Sequence, residues 1–443
     1  MSIGYRPTFR LTEFRLLLVP AVLAIIGMLM IVLVPTGQAS WSWSDIWISL
    51  VFGAAVIGIN VVFGLRGFRG DQILLPIVAT LAMIGMLTIQ RLVPDLARID
   101  PNYSSLAQKQ FLFLMVGLAI MSGIVVLAGP LRVLSWLNRY AVIWLMLGFA
   151  LQVLTVVIGT GPPGSGANLW LSLGPVQIQP SEVVKILLVV YMASYLDKRR
   201  AILASNQAWK VGRIALPPIP WLVPAGGVFL VALALLVVNN DLGSALMFFA
   251  ILMVMLYLAS GQGLYVIAGS GVFAAACYLA WRFVDRIGLR VQNWLDPWQD
   301  PFIAGYQPIQ SDYALASGGI LGTGFAQGSP WLVPIVETDY VLAAIGEELG
   351  LLGTLAVLAL FMLLVVRGFL IAIRVEDGFA QLLAAGLSAL LGIQTIIIVG
   401  GVLRVIPLTG ITLPFISYGG SSLLSSFAIA GLLLHVSSLP KRV

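Results

Sequence analysis

The stretch Asn239-Asn240-Asp241-Leu242-Gly243-Ser244 sets one acid between two long apolar runs. A carboxylate at the end of a membrane helix is costly to keep unless it has a task. The flanking runs decide the class. The chain is 60% hydrophobic and 9% charged, with a mean hydropathy of +1.03, whereas a soluble domain carries about 25% charged residues. The reading is an all-α, polytopic membrane protein with roughly twelve transmembrane helices of about 20 apolar residues each. These centre near Ala24, Ala55, Ala82, Gly117, Met146, Leu188, Val228, Leu252, Phe273, Val357, Leu391 and Ile429. The first run, Leu16 to Val34, is long enough to span and too long for a cleavable signal.

The net charge is +6, but the bases are scattered among loops, so no nucleic-acid partner is implied. With an inner N-terminus, Arg91, Arg98, Lys109, Arg282, Arg286, Arg290 and Arg404 fall outside, Lys185 falls within a helix, and the rest of the 24 Lys and Arg residues fall inside. Positive residues favour the cytoplasmic face. Both termini are therefore expected in the cytoplasm.

The inner loops are short and basic. The largest, Asp197 to Pro220, is a charged connector closed by Pro217, Pro218 and Pro220. The outer loops, near residues 160–180, 286–340 and 404–417, are richer. The first holds Gly161, Pro162, Pro163, Gly164 and Gly166; the second holds Trp294, Trp298, Tyr306, Tyr313 and Trp331. Loops longer than about 15 residues are usually functional or disordered, and the aromatic content argues against disorder. Chemistry or recognition is expected on the extracytoplasmic face.

Asp241 has two readings. It is a good N-cap for the following helix. It is also a candidate general base, with burial raising its pKa and the helix N-terminus lowering it. In Gln179-Pro180-Ser181-Glu182-Val183-Val184-Lys185, Ser181 reads as an N-cap, and Glu182 and Lys185 share a helix face. That pair is either a structural ion pair or the lining of a site. Trp170, after Gly166-Ala167-Asn168-Leu169, reads as an interfacial anchor. In the long loop, Arg290, Gln307 and their neighbours offer hydrogen bonds for a sugar or diphosphate, or pack as a plug. Of the adjacent acids Glu347 and Glu348, at least one must pair or line a cavity. Arg404 leads into Pro414-Phe415-Ile416-Ser417-Tyr418-Gly419-Gly420-Ser421-Ser422, whose small residues permit close backbone approach. Cys277 reads as a small buried hydrophobe and His435 as interfacial; with one of each, a His/Cys metal site is excluded.

Taken together, these strings resemble the SEDS family (shape, elongation, division and sporulation), the RodA- and FtsW-like proteins. The resemblance runs from about Gly166 to the C-terminus. It is carried by Gln179 to Lys185, Asp241-Leu242-Gly243, Asp296-Pro297, Gly305-Tyr306-Gln307, Ser317-Gly318-Gly319, Thr338-Asp339, Gly346 to Gly350 and Pro414 to Ser422. It implies a catalytic core over residues 160–443, preceded by N-terminal helices over 1–159, about two of them beyond the family core. The chain departs from the family pattern in three places. Asn240 stands for Pro, Asn168-Leu169 stands where many members have basic residues, and Glu337 stands for a frequent His.

The resemblance also implies an activity: a peptidoglycan glycosyltransferase polymerising lipid II on the outer face of the cytoplasmic membrane, in cell elongation or division. A class B penicillin-binding transpeptidase is the implied partner. The family's essential aspartate falls on Asp241, and its Glu–Lys pair on Glu182 and Lys185. Expected substrate-binding residues are Lys185, Glu182, Arg290, Arg404, Gln307, Ser417, Ser421 and Ser422. Lys185, Arg290 and Arg404 are the candidates to neutralise a diphosphate leaving group. No cofactor is required, and a divalent cation such as Mg is the alternative source of that charge. Two rival classes are a lipid II flippase, with key charges spread through the membrane depth, and a non-enzymatic scaffold for the transpeptidase, which would survive loss of Asp241.

Overall fold

The computed structural model describes residues 9–36, 43–129, 132–161, 168–174, 176–200, 209–211, 214–216, 219–239 and 241–440. Readings that fall on Arg6, Pro162, Pro163, Gly164, Gly166, Arg213, Pro217, Pro218, Asn240, Lys441 and Arg442 lie outside these residues. The helices are α1 (Leu11–Thr36), α2 (Trp43–Leu65), α3 (Leu74–Ile99), α4 (Leu106–Leu127), α5 (Val133–Arg139), α6 (Ala141–Ile158), α7 (Pro180–Asp197), α8 (Ile219–Val238), α9 (Leu242–Ser260), α10 (Gly263–Phe283), α11 (Asp285–Leu295), α12 (Tyr306–Gly318), α13 (Val341–Arg374), α14 (Gly378–Val402) and α15 (Gly420–Val436). Among the described residues, nine helices are long and apolar enough to cross a membrane. Gly226–Val238 and Gly420–Val436 are shorter apolar segments, and α7, of 18 residues, carries Glu182, Lys185 and Asp197. Helices dominate because a bilayer offers no water to unpaired backbone groups. Among the described residues, strands are confined to two small antiparallel hairpins in connections, β1 (Leu171–Leu173) with β2 (Val176–Ile178), and β3 (Trp209–Val211) with β4 (Ile214–Leu216). The long segment over 286–340 is folded: it contains most of α11, all of α12, and 3-10 turns at Pro297–Gln299 and Pro330–Leu332.

The chain divides into two compact units. The first comprises Met1–Gly129, Gln292–Arg367 and Gln394–Leu439. Its helices touch closely where side chains vanish: a Cβ on Gly117 of α4 would lie 2.2 Å from the Phe427 ring of α15. At one end, Arg10 is buried, with the Glu13 carboxylate at 2.6 Å. Its guanidinium donates to the carbonyls of Phe68 at 2.8 Å, Gly70 at 3.2 Å and Asp71 at 2.7 Å. Asn60 donates to Glu13 at 2.7 Å, tying α1 to α2. Asp71 then pairs with Arg367 at 2.6 Å.

The apolar run centred near Val357 belongs to one candidate span, Val341–Arg374, but that segment is two helices rather than one. Gly350 breaks α13 with φ 67° and ψ −169°, a left-handed conformation open to glycine. The backbone groups freed by the break are satisfied by the preceding loop. Thr323 and Gly324 N–H donate to the Glu347 and Glu348 carbonyls at 2.9 and 3.1 Å, and Leu351 and Leu352 N–H donate to Gly319 and Ile320 at 3.0 and 3.2 Å. Both acids of this turn are engaged. Glu347 accepts from Ser329 N–H at 2.6 Å, and Glu348 meets Arg91 at 3.0 Å. Arg91, placed by the charge count in an outer loop, instead lies buried within α3. Its other donors reach Asp95 at 2.6 Å and the Gly328 carbonyl at 3.0 Å. His435, read as interfacial, is buried along α15, because its helix lies inside the unit rather than at its edge.

The second unit comprises Pro130–Val291, Gly368–Ile393 and Pro440–Val443. Helix α6 packs on α7 and α8, and α9 packs on α7 and α8. Helix α10 contacts α9 and buries only Tyr265. Cys277 is therefore exposed on α10 rather than buried as its apolar neighbours imply.

Removing one partner of a buried ion pair leaves an uncompensated charge, at a cost of about 3–5 kcal/mol. Arg91→Ala is therefore expected to lower unfolding stability by about that amount, with thermal unfolding of the purified protein as the measurement. Arg98→Ala, at a side chain 80% exposed, is expected to change little. Equal effects of the two would contradict the assignment.

Candidate functional site

The second unit assembles the acids and the base singled out by sequence. The β1–β2 hairpin, turning at Gly174 with φ +65°, delivers the chain to α7. Pro180 occupies the first turn, where its missing N–H is no loss. Gln179, not Ser181, is the cap residue of α7, and it makes no side-chain cap. Ser181 is buried, and its Oγ has no hydrogen-bond partner. Lys185 is fully buried, and its Nζ sits 2.5 Å from Glu182 Oε2. Breaking such a buried pair would leave an uncompensated charge, so the two side chains stand or fall together.

Asp241 caps α9. Its Oδ1 accepts from the Ser244 N–H at 3.1 Å, and its Oδ2 accepts from the Ser244 hydroxyl at 2.8 Å. The capping reading of this acid therefore holds. The residue is 9% exposed. Burial pushes its pKa up, the Ser244 bonds oppose this, and the negative charge of Glu182 adds to the rise. The opposing pulls left open by sequence thus resolve in favour of burial. Ser181 also acts on the carboxyl, although no bond geometry is met between them. The result is an acid with elevated proton affinity, bracketed by Ser181 and Ser244, near a Glu–Lys pair.

Arg290 is exposed on α11 in the same unit. The remaining candidates belong to the other unit, where hydrogen bonds hold the loop architecture. Gln307 donates to the Pro334 carbonyl at 2.9 Å. Arg404 pairs with Asp312 at 2.8 Å and donates to the Trp294 carbonyl at 3.1 Å. Ser417 donates to the Thr338 carbonyl at 2.6 Å and accepts from Leu413 N–H at 2.9 Å. Thr412 donates to Ser422 at 2.6 Å, next to Ser421. Glu337, also in that unit, is buried, and burial raises its pKa. Among the described residues, no cluster of three or more His, Cys, Asp or Glu side chains is placed to hold a metal.

Sequence reasoning missed Ser244, the brace of Asp241, and gave Asn239 no role. The first was legible from its position at the third residue of the helix after an Asp cap.

These features define a polytopic helical membrane protein with a buried cap acid near a Glu–Lys pair. The chain belongs to the FtsW, RodA and SpoVE family, whose model, described as a cell cycle protein, matches residues 71–441. The match begins well before Gly166, and helices α1 and α2 precede it. The chain is 36% identical over 443 residues to the peptidoglycan glycosyltransferase RodA of Mycobacterium tuberculosis, covering 98% of this chain and 92% of that protein. It is 38% identical over 305 residues to a probable peptidoglycan glycosyltransferase FtsW of a Geobacter species, covering 68% of this chain and 79% of that one. Two solved structures share the fold. One, from work on the structural coordination of polymerization and crosslinking by a peptidoglycan synthase complex, matches with TM-score 0.66 and 28% identity, over 83% of this chain and 98% of that one. A mutant of Thermus thermophilus RodA, a rod shape determining protein, matches with TM-score 0.58 and 25% identity, over 83% of this chain and 97% of that one.

A carboxyl whose pKa is higher folded than unfolded binds extra protons in the folded state. Its ionisation then subtracts stability as pH rises above the ordinary carboxylate range. Asp241→Asn is expected to unfold at or above the wild-type temperature at pH 7, with the gap closing as pH falls below that range. A lower melting temperature at pH 7 would show that the charged form is the stabilising one.

Proposed function

We propose that this chain is a peptidoglycan glycosyltransferase that polymerises lipid II into β-1,4-linked glycan on the outer face of the cytoplasmic membrane. The observation that carries the proposal is the buried Asp241 carboxyl, raised in pKa and set near the Glu182–Lys185 pair. The curated names of the RodA and FtsW relatives support the reaction class. The excess of basic residues in alternate loops supports cytoplasmic termini, which leaves Asp241 extracytoplasmic.

In this mechanism Asp241 takes the proton of the C4 hydroxyl on the acceptor's terminal N-acetylglucosamine. The oxygen attacks the anomeric carbon of the lipid-linked donor from the face opposite the diphosphate. The new carbon–oxygen bond forms as the bond to the diphosphate breaks, and the lipid diphosphate departs with the electron pair. One displacement inverts an α-linked donor to a β product. The leaving group has a low pKa and needs charge neutralisation rather than protonation. Lys185 supplies the positive charge, and Glu182 holds it in place. Arg290, exposed on α11, is the second candidate cation. Arg404, tied to Asp312 and Trp294, ranks behind both. A class B penicillin-binding transpeptidase is the proposed partner, a reading supported by the similarity to a component of a peptidoglycan synthase complex.

The test is polymerisation of purified lipid II by the purified protein. Loss of a general base typically lowers rate by about 10²–10⁴-fold, so Asp241→Asn should fold and make almost no polymer. Glycan synthesis at wild-type rate would remove the base from Asp241. Loss of one electrostatic contact to the departing charge is expected to lower kcat by about 10²–10³-fold. That is the outcome predicted for Lys185→Ala, read against its melting temperature. The base works deprotonated, so kcat/KM should fall as pH drops through the raised pKa of Asp241. An acid limb within the ordinary carboxylate range would contradict the burial effect.

A further inference from the structure

Three buried polar groups at the Asp241 end of the α6–α9 cluster carry side-chain atoms without hydrogen-bond partners: Gln152 Oε1, Ser181 Oγ, and both Oδ1 and Nδ2 of Asn239. Asn239 is 1% exposed. It closes the buried stripe Phe229, Ala232 and Leu236 along α8, whose three- and four-residue steps keep to one helix face. Gln152 lies one turn beyond Gly148, toward the end of α6 that the β1–β2 hairpin joins to α7. Gly148 itself meets Val184 and Leu187 of α7, so Gln152 is level with the first turn of that helix. Ser181 occupies that first turn.

An unmet buried polar group costs about 1–3 kcal/mol, and native structures keep few of them. A carboxamide with both ends unmet calls for a partner that donates and accepts at once. A secondary amide does so, with its N–H for Oδ1 and its carbonyl for Nδ2. Under the proposed function, the acceptor sugar presents its C4 hydroxyl to Asp241 and carries an acetamido group at C2. Two residues of chain reach at most about 7 Å, the scale of one sugar ring.

We propose that Asn239 is a specificity-determining residue whose side-chain carboxamide binds the acetamido group of the acceptor sugar, with Gln152 and Ser181 completing the polar lining. This inference rests on the proposed glycosyltransferase reading.

The experiment compares native lipid II with an analogue whose glucosamine acetamido group is replaced by hydroxyl, using the purified full-length protein. The wild type is expected to lose tenfold or more in kcat/KM on the analogue. Asn239→Leu is expected to lose about as much on the native substrate and to treat the two substrates alike, a loss of discrimination consistent with unpaired buried groups. Its melting temperature should not fall, because leucine removes two unmet polar atoms. Wild-type discrimination retained in Asn239→Leu would overturn the inference while leaving the polymerase reading intact. So would a drop in melting temperature shared by Asn239→Leu and Asn239→Ala, since it would reveal a structural partner. A wild type that makes no polymer from native lipid II would instead remove the proposed function, and the inference with it.

Discussion

The Glu182–Lys185 pair is the interaction on which the reading of this molecule depends. A fully buried ammonium is untenable without a counter-charge at contact distance, and Glu182 provides it at 2.5 Å. Burial raises the proton affinity of Asp241, and the negative charge of the same glutamate adds to the rise. One carboxylate thus does two jobs. It pairs with Lys185, and it adds to the rise in Asp241 proton affinity that burial causes. Helix α7 sets Glu182 and Lys185 one turn apart on one face, which is what lets them meet.

The rest of the chain obeys the same rule. Among the described residues, the deeply buried charges outside this site are paired or hydrogen-bonded. Arg10 meets Glu13, Arg91 meets Glu348 and Asp95, and Glu347 accepts a backbone N–H. Buried polar atoms left without partners, by contrast, gather in part around Asp241. A polar ligand at the Asp241 end would complete the bonding of Gln152, Ser181 and Asn239.

Much of the fold was legible because twenty-residue apolar runs admit one solution in a bilayer. Asp241, Glu182 and Lys185 were legible because charges at the ends of such runs are rare. The break at Gly350 was not. Hydropathy reads straight through Gly346 to Val357, and only the loop carbonyls of Gly319 and Ile320 reveal why the helix can stop there. Arg91 was misplaced for a related reason: a charge count assigns residues to loops and cannot anticipate Glu348, 257 residues away in sequence. Ser181 has the composition of a cap, but Pro180 before it shifts the helix start and frees its hydroxyl. Cys277 failed because an apolar neighbourhood in sequence marks burial in lipid as readily as burial in protein.

The clasp at Arg10 bears on how far this molecule can be pared down. One guanidinium holds the carbonyls of Phe68, Gly70 and Asp71 and lies over the rings of Phe63 and Phe68. Those carbonyls sit at the border where the family match begins. A minimal enzyme cut at that border would lose the cation that gathers three backbone dipoles, and the strand of chain leading to Asp71 would lose its anchor. Arg10, just ahead of α1, is therefore the keystone of the segment that follows, not an ornament added in front of it.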